Sequence, residues 1–165
     1  MGRSGIEQLL FAMDYAFEGL PGLDRGHALL VNLASVREED WSWLPPGGSR
    51  TIGDIVRHVG LAKHVYDNHA FGDRSMVPGR PETMPALPGD APRSELLDWV
   101  RAGHASLRSH LAALSDDSEL LRPRNGWSLR LVHETRFVIN TMISHDAYHA
   151  GEINHIRALA QGDDR

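Results

Sequence analysis

His145 and His149 lie four residues apart in the segment His145-Asp146-Ala147-Tyr148-His149-Ala150-Gly151-Glu152-Ile153. Val138, Met142, Ile153 and Ile156 flank them, and the steps along Val138, Met142, His145, His149, Ile153, Ile156 are 4, 3, 4, 4 and 3. That spacing is one face of an α-helix. The two imidazoles therefore take places where the helix turns its side chains inward. A buried imidazole needs a partner for each nitrogen. Two of them one turn apart can share a divalent metal ion. The plainer alternative is a pair of satisfied core or helix-flank histidines.

A metal needs a third ligand from another helix, and it should come from an inward stripe. His58 qualifies, three residues after Ile55 and four before Ala62. His104 competes, because it also lies on a stripe. His69 shares the His58 stripe but is 11 residues further on, about 16 Å along a helix and too far for the same ion. His64, His110, His133 and His155 fall off their stripes, and His27 borders its own. Three neutral imidazoles would leave open coordination positions for water or substrate.

Glu152 continues the line at i+7 from His145. It can accept a hydrogen bond from a ligand ring, act as a general base, or bind the ion; an ordinary solvated glutamate is the alternative. Asp54 and Asp146 adjoin candidate ligands and can orient a ring. Tyr148 can pack or donate a hydroxyl. Gly151 inside a helix suggests the close approach of a neighbouring helix or a site needing room.

The elements that would position these residues are helices. Ile6, Leu9, Leu10, Met13, Phe17 and Leu20 predict a helix over 5–19, ended by Pro21-Gly22. A second is expected from about Asp24 to Trp41, stopped by Leu44-Pro45-Pro46-Gly47-Gly48. Thr51 reads as an N-cap supported by Asp54, opening a helix to about Gly72. Residues 73–93 carry five prolines (78, 81, 85, 88 and 92) and predict a long crossover, lid or binding loop. Ser94 is the expected cap of a helix to about Leu114. The stretch 121–128 reads as loop or turn, and a last helix is expected from about Leu129 to Ala160. No window alternates like a strand. The prediction is all-α: a four-helix bundle in a single domain over 1–165, with a long crossover loop and an extra N-terminal helix in the extension 1–23.

Composition narrows the function. The chain of 165 residues has a formal net charge of −5, ten histidines, sixteen arginines and one lysine, Lys63. The arginines are dispersed, so nucleic-acid binding is not expected. No apolar run reaches membrane-spanning length and the N-terminus has no long apolar stretch, so neither a membrane span nor a signal peptide is expected, and the cytoplasm is the expected location. The chain has no cysteine. A cysteine nucleophile and thiolate ligands are excluded, and any thiol in the chemistry must come from outside.

The run Trp41-Ser42-Trp43-Leu44-Pro45-Pro46-Gly47-Gly48-Ser49-Arg50-Thr51-Ile52-Gly53-Asp54-Ile55-Val56-Arg57-His58, followed by His145-x-x-x-His149-Ala-Gly-Glu152-Ile, resembles the DinB/YfiT-like superfamily of metalloenzymes. The resemblance covers about 24–161. It implies a four-helix bundle with a long crossover and a divalent metal, nickel or zinc, on His58, His145 and His149. It also implies frequent homodimers, and relatives that include thiol transferases using low-molecular-weight thiols and a thiol-dependent isomerase. The expected function is then a metal-dependent enzyme that activates a thiol or water toward a small electrophile, with Glu152 as the candidate catalytic residue. The alternative is a non-catalytic metal- or small-molecule-binding protein of a stress or detoxification response. Apart from the resemblance, Arg57 beside His58, or arginines of the Pro-rich loop such as Arg80, could hold an anionic substrate.

Overall fold

The computed structural model describes residues 2–20, 22, 26–77, 79–85, 91–126 and 131–163. Helices α1 (Ser4–Phe17), α2 (Leu29–Ala34), α3 (Ile52–Ala70), α4 (Arg93–Ala112) and α5 (Thr135–Gln161) build it. A two-stranded antiparallel hairpin, β1 (Pro123–Asn125) with β2 (Val132–Glu134), precedes α5. Short 3-10 turns stand at Pro81–Thr83 and Asp117–Leu121. None of the described helices is long and apolar enough to cross a membrane.

The four long helices form a closed ring. The helix α3 packs against α4 and α5, and α1 packs against the same two. Side-chain contacts set the directions. Gly60 meets Val100, Gly103 meets Lys63, and Ser106 donates to Asp67, so α3 and α4 run parallel. Arg50 pairs with Glu152 and Lys63 with Asp146, so α3 and α5 run antiparallel. Two parallel neighbours in sequence cannot be joined by a tight turn. The chain must travel back along α3, whose 19 residues span roughly 28 Å. The Pro-rich stretch after Ala70 is that crossover.

Hydrogen bonds hold the starts of α3 and α1. Thr51 Oγ1 accepts from the Asp54 N–H at 3.1 Å, and Asp54 Oδ2 accepts from the Thr51 N–H at 2.9 Å. That reciprocal box fixes the first residue of α3. The N-terminus of α1 has no side-chain cap of its own; the Asp117 carboxylate accepts from Gly5 and Ile6, each at 3.0 Å. The N-terminal helix is thus tied into the bundle, and Ile6, Met13 and Phe17 lie in the core.

Several expected boundaries move. The second helix is six residues, not eighteen: after Ala34 the chain turns, with Ser35 and Val36 donating to Asn32 and Leu33. Residues 23–25, its expected start, lie outside the described residues. Ser94 does not cap α4; the helix opens at Arg93, with Pro92 in the cap position and no side-chain cap bond. Pro92 supplies a fixed φ instead. The last helix opens at Thr135 rather than Leu129, which lies outside the described residues. Thr135 donates its N–H and its Oγ1 to the Arg122 carbonyl, and the segment before it pairs with β1.

Two apolar clusters fill the ring. One gathers Phe17, Leu29, Leu33, Ile52, Ile55, Val59, Leu96, Val100 and Ile153; the other gathers Ile6, Met13, Ala62, Leu107, Leu111, Ile139 and Met142. On α5 the buried polar residues Asp146 and His149 fall between the contributions to the two clusters, and Lys63 and His104 face them from α3 and α4. The bundle therefore carries a polar layer between its two apolar clusters.

Candidate metal centre

His58 comes from the second turn of α3, and His145 and His149 from the middle of α5. The capping box sets the phase of α3, and the 3.6-residue period sets that of α5. His145 Nε2 stands 3.0 Å from His58 Nε2 and 3.2 Å from His149 Nε2. The three rings offer ligand nitrogens that all lie within 4.8 Å of one another. His149 is buried, while the His58 side is the open one.

The spacings from His145 to His58 and to His149 are near those of a shared ion. Two nitrogens held tetrahedrally at ~2.0–2.1 Å from a metal lie about 3.3–3.4 Å apart. Three neutral rings that aim nitrogens at one point cannot all satisfy one another by hydrogen bonding. A cation at that point satisfies all three.

The electrostatics prepare the rings for a metal. Burial first, then the neighbouring His149 and His58 and the Lys63 ammonium, push the His145 pKa down to about 3. Burial and His149 also lower His58. Both imidazoles are thus neutral near pH 7, the form that binds a metal.

Glu152 reaches back one turn. Its Oε2 lies 2.7 Å from His149 Nδ1, and its Oε1 accepts from Arg50 Nη2 at 2.9 Å. The ring nitrogen facing the carboxylate carries the proton, so Nε2 is left free to ligate. Both carboxylate oxygens are engaged, one by the His149 ring and the other by Arg50. Behind this pair opens a cleft of about 390 Å³ lined by Pro45–Arg50 and by Glu152, His155, Ile156 and Leu159. Arg50 is the arginine of that lining; neither Arg57 nor Arg80 contributes to it.

His104 is not a ligand: it stacks on Phe17 at 3.9 Å between centroids and faces Lys63 Nζ at 3.4 Å. His69 is buried, its ring nitrogens facing the carbonyls of Gly126 and Met76, where it ties the crossover and the hairpin to α3. His64 and His110 pack on Trp99 and Phe71 along α3 and α4, and His133 on Phe137. His155 lines the cleft. Asp54 is occupied by the capping box. Asp146 does not orient a ring; it turns to Lys63, and His145 Nδ1 is buried with no hydrogen-bond partner among the described residues. Tyr148 is 66% exposed and sets the edge of its ring against His149. Among the described residues nothing lies near the Cβ position of Gly151, so no helix approaches there; the close approaches are at Gly60 and Gly103, between α3 and α4.

The Lys63–Asp146 pair was not foreseen. Lys63 Nζ donates to Asp146 Oδ2 at 2.6 Å, with side-chain exposures of 1% and 3%. The signal was present: Lys63 follows Val56 by seven and Val59 by four, an inward step, and it is the chain's one lysine.

No curated protein matches the chain. A family profile described as the DinB superfamily matches residues 23–153, well over half of the sequence, and spans all three histidines. With the helical bundle and the converging His58, His145 and His149, this places the chain in the DinB superfamily.

Proposed function

We propose that the protein is a divalent-metal-dependent enzyme, with nickel or zinc on His58, His145 and His149, that directs a low-molecular-weight thiol or water onto a small electrophile. The carrying observation is the convergence of three Nε2 atoms at 3.0 and 3.2 Å, open on the His58 side. When bound, the ion supplies a Lewis acid that lowers the pKa of a thiol or water in an open position. The protein's own residues do the rest. His58 and His145 stay unprotonated because they are desolvated. Glu152 holds the proton of His149 on Nδ1, and Arg50 holds Glu152. The adjoining cleft, with the apolar Ile156 and Leu159 beside Arg50, suits a small molecule with an apolar body and a polar or anionic end. The lack of cysteine fits an exogenous thiol as nucleophile. Homodimerisation and a cytoplasmic location belong to the same proposal, and sedimentation velocity tests the first.

The test is metal analysis of untagged protein beside His149→Ala, followed by thiol consumption against a panel of electrophiles. About one equivalent of metal, lost in the variant, supports the centre. Metal-free wild type overturns it. A metal-loaded protein that turns over neither thiols nor esters overturns the enzymatic part alone.

A further inference from the structure

Lys63 and Asp146 hold the layer directly beneath the metal centre. Lys63 stands five residues after His58 on α3, and Asp146 immediately follows His145 on α5. The two helices that must bring their histidines together are therefore joined, close to those histidines, by one ion pair at 2.6 Å in the dry interior.

Burial disfavours the Lys63 ammonium, and the contacts around Nζ offset that cost. A lysine has three N–H donors and no acceptor. Asp146 Oδ2 takes one, His104 Nδ1 lies 3.4 Å away, and the face of Phe17 lies 4.7 Å from Nζ. His104 in turn stacks on Phe17 and points Nε2 toward Asp14 Oδ1 at 3.8 Å. Burial and the Lys63 charge keep His104 neutral, with a pKa of about 3, so its Nδ1 is free to accept. Gly103 lets α4 come close: a Cβ there would lie 3.1 Å from Lys63 Cβ. An arginine would bring a broad fork of five donors into a space with three acceptor directions. Elsewhere this chain uses arginine sixteen times and lysine never.

A buried ion pair is a poor source of stability, because desolvation offsets most of its attraction; its best-attested use is to specify register. Asp146 Oδ1 remains buried without a partner among the described residues, which adds to that cost. A slip of one residue along α5 is ~1.5 Å of translation and ~100° of rotation. Such a slip would break the pair and scatter the ligand nitrogens together. We propose that Lys63 and Asp146 are positioning residues that set the register of α5 against α3, and that His104 and Phe17 shape the seat of the ammonium. The metal-affinity part rests on the metal reading above; the register part does not.

The test uses the full chain. K63M/D146L replaces the pair by apolar side chains of similar size, and D146N keeps the shape and a hydrogen bond to Lys63. Zinc affinity is measured by competition titration, and the ligand field by the visible spectrum of the cobalt(II) form. Independently, spin labels at L61C and A147C report the α3–α5 distance in metal-free protein, which the cysteine-free background allows. K63M/D146L should remain helical, bind zinc ~10- to 100-fold more weakly, give an altered cobalt spectrum, and show a shifted or broadened distance distribution. D146N should show the same changes to a smaller degree. Wild-type affinity, spectrum and distance distribution in the double variant overturn the proposal; if it fails to fold, the same result in D146N does so. Should wild type bind no metal, the metal reading fails, and an unchanged distance distribution still decides against the register role.

Discussion

Metal uptake should release fewer protons than three ordinary histidines would, and His145 is the reason. A free imidazole with a pKa of 6.5 is about nine-tenths protonated at pH 5.5. A metal displacing protons from three such rings would release about 2.7 per ion. His145, held at about 3 by burial and by the charges around it, has essentially none to give at that pH. The total should therefore not exceed about two, and the lowered His58 reduces it further. In affinity, each ordinary ring costs about elevenfold at pH 5.5, and the cost for His145 disappears. Zinc titration calorimetry at pH 5.5 in buffers of different ionisation enthalpy counts the protons. The His145 ring resonances of metal-free protein, followed from pH 7.5 to 5, give the direct check and should not move through a titration. A His145 midpoint near 6.5, or a count close to three, would refute the argument that the site is desolvated and ready for a metal.

Three further outcomes follow from other parts of the molecule. Glu152→Gln removes the carboxylate from His149 Nδ1 and the partner of Arg50, so metal affinity should fall ~10- to 100-fold with the helical content kept; unchanged affinity in calorimetry would deny Glu152 its supporting role. Gly60→Ala places a methyl group into the Trp99 ring and within 2.9 Å of Val100 Cγ2, and should cost about 1–3 kcal/mol, visible as a lower melting temperature, while the folded fraction keeps its metal stoichiometry. His104 has a folded pKa of about 3, below its unfolded 6.5, so its contribution is present above pH 6.5 and lost as the pH falls toward 3. At pH 5 that loss is about 2 kcal/mol. His104→Leu should shrink the difference in unfolding free energy between pH 7 and pH 5 by that amount, and equal pH slopes in urea denaturation would contradict it.

The site's geometry is set at two distances. Locally, the Thr51–Asp54 box fixes where α3 begins, and with it the rotation of His58 seven residues on. The same turn carries Arg50, which grips Glu152, which grips His149. One short segment therefore orients one candidate ligand on its own helix and supports another on α5. At longer range, the parallel course of α3 and α4 leaves α5 to close the ring antiparallel to α3, so the middle of α5 meets the first turns of α3. A ligand pair at i and i+4 on one helix and a single ligand on its neighbour is then sufficient for a three-coordinate site, and the His58 side stays open because α3 has barely begun there.

What could be read from the sequence was whatever repeats along one helix. The stripe Val138–Met142–His145–His149–Ile153 points to α5 and to two of the three histidines that converge, and Thr51 with Asp54 points to the start of α3, because cap chemistry is local. The third histidine of the cluster is ambiguous in the sequence, since His58 and His104 obey the same spacing; in the fold His58 joins the cluster and His104 stacks on Phe17. The β-hairpin left no mark because strands of three residues have no period to detect. The expected 24–41 helix was over-read because Val36 continues the apolar rhythm after the backbone has turned at Ser35. Lys63 is illegible from its own helix: a lysine at an inward step is ordinarily solvated, whereas here its partner lies 83 positions away in sequence. Periodicity tells which side of a helix is covered. It does not tell what covers it, and a buried charge is intelligible only once the opposite charge is in place.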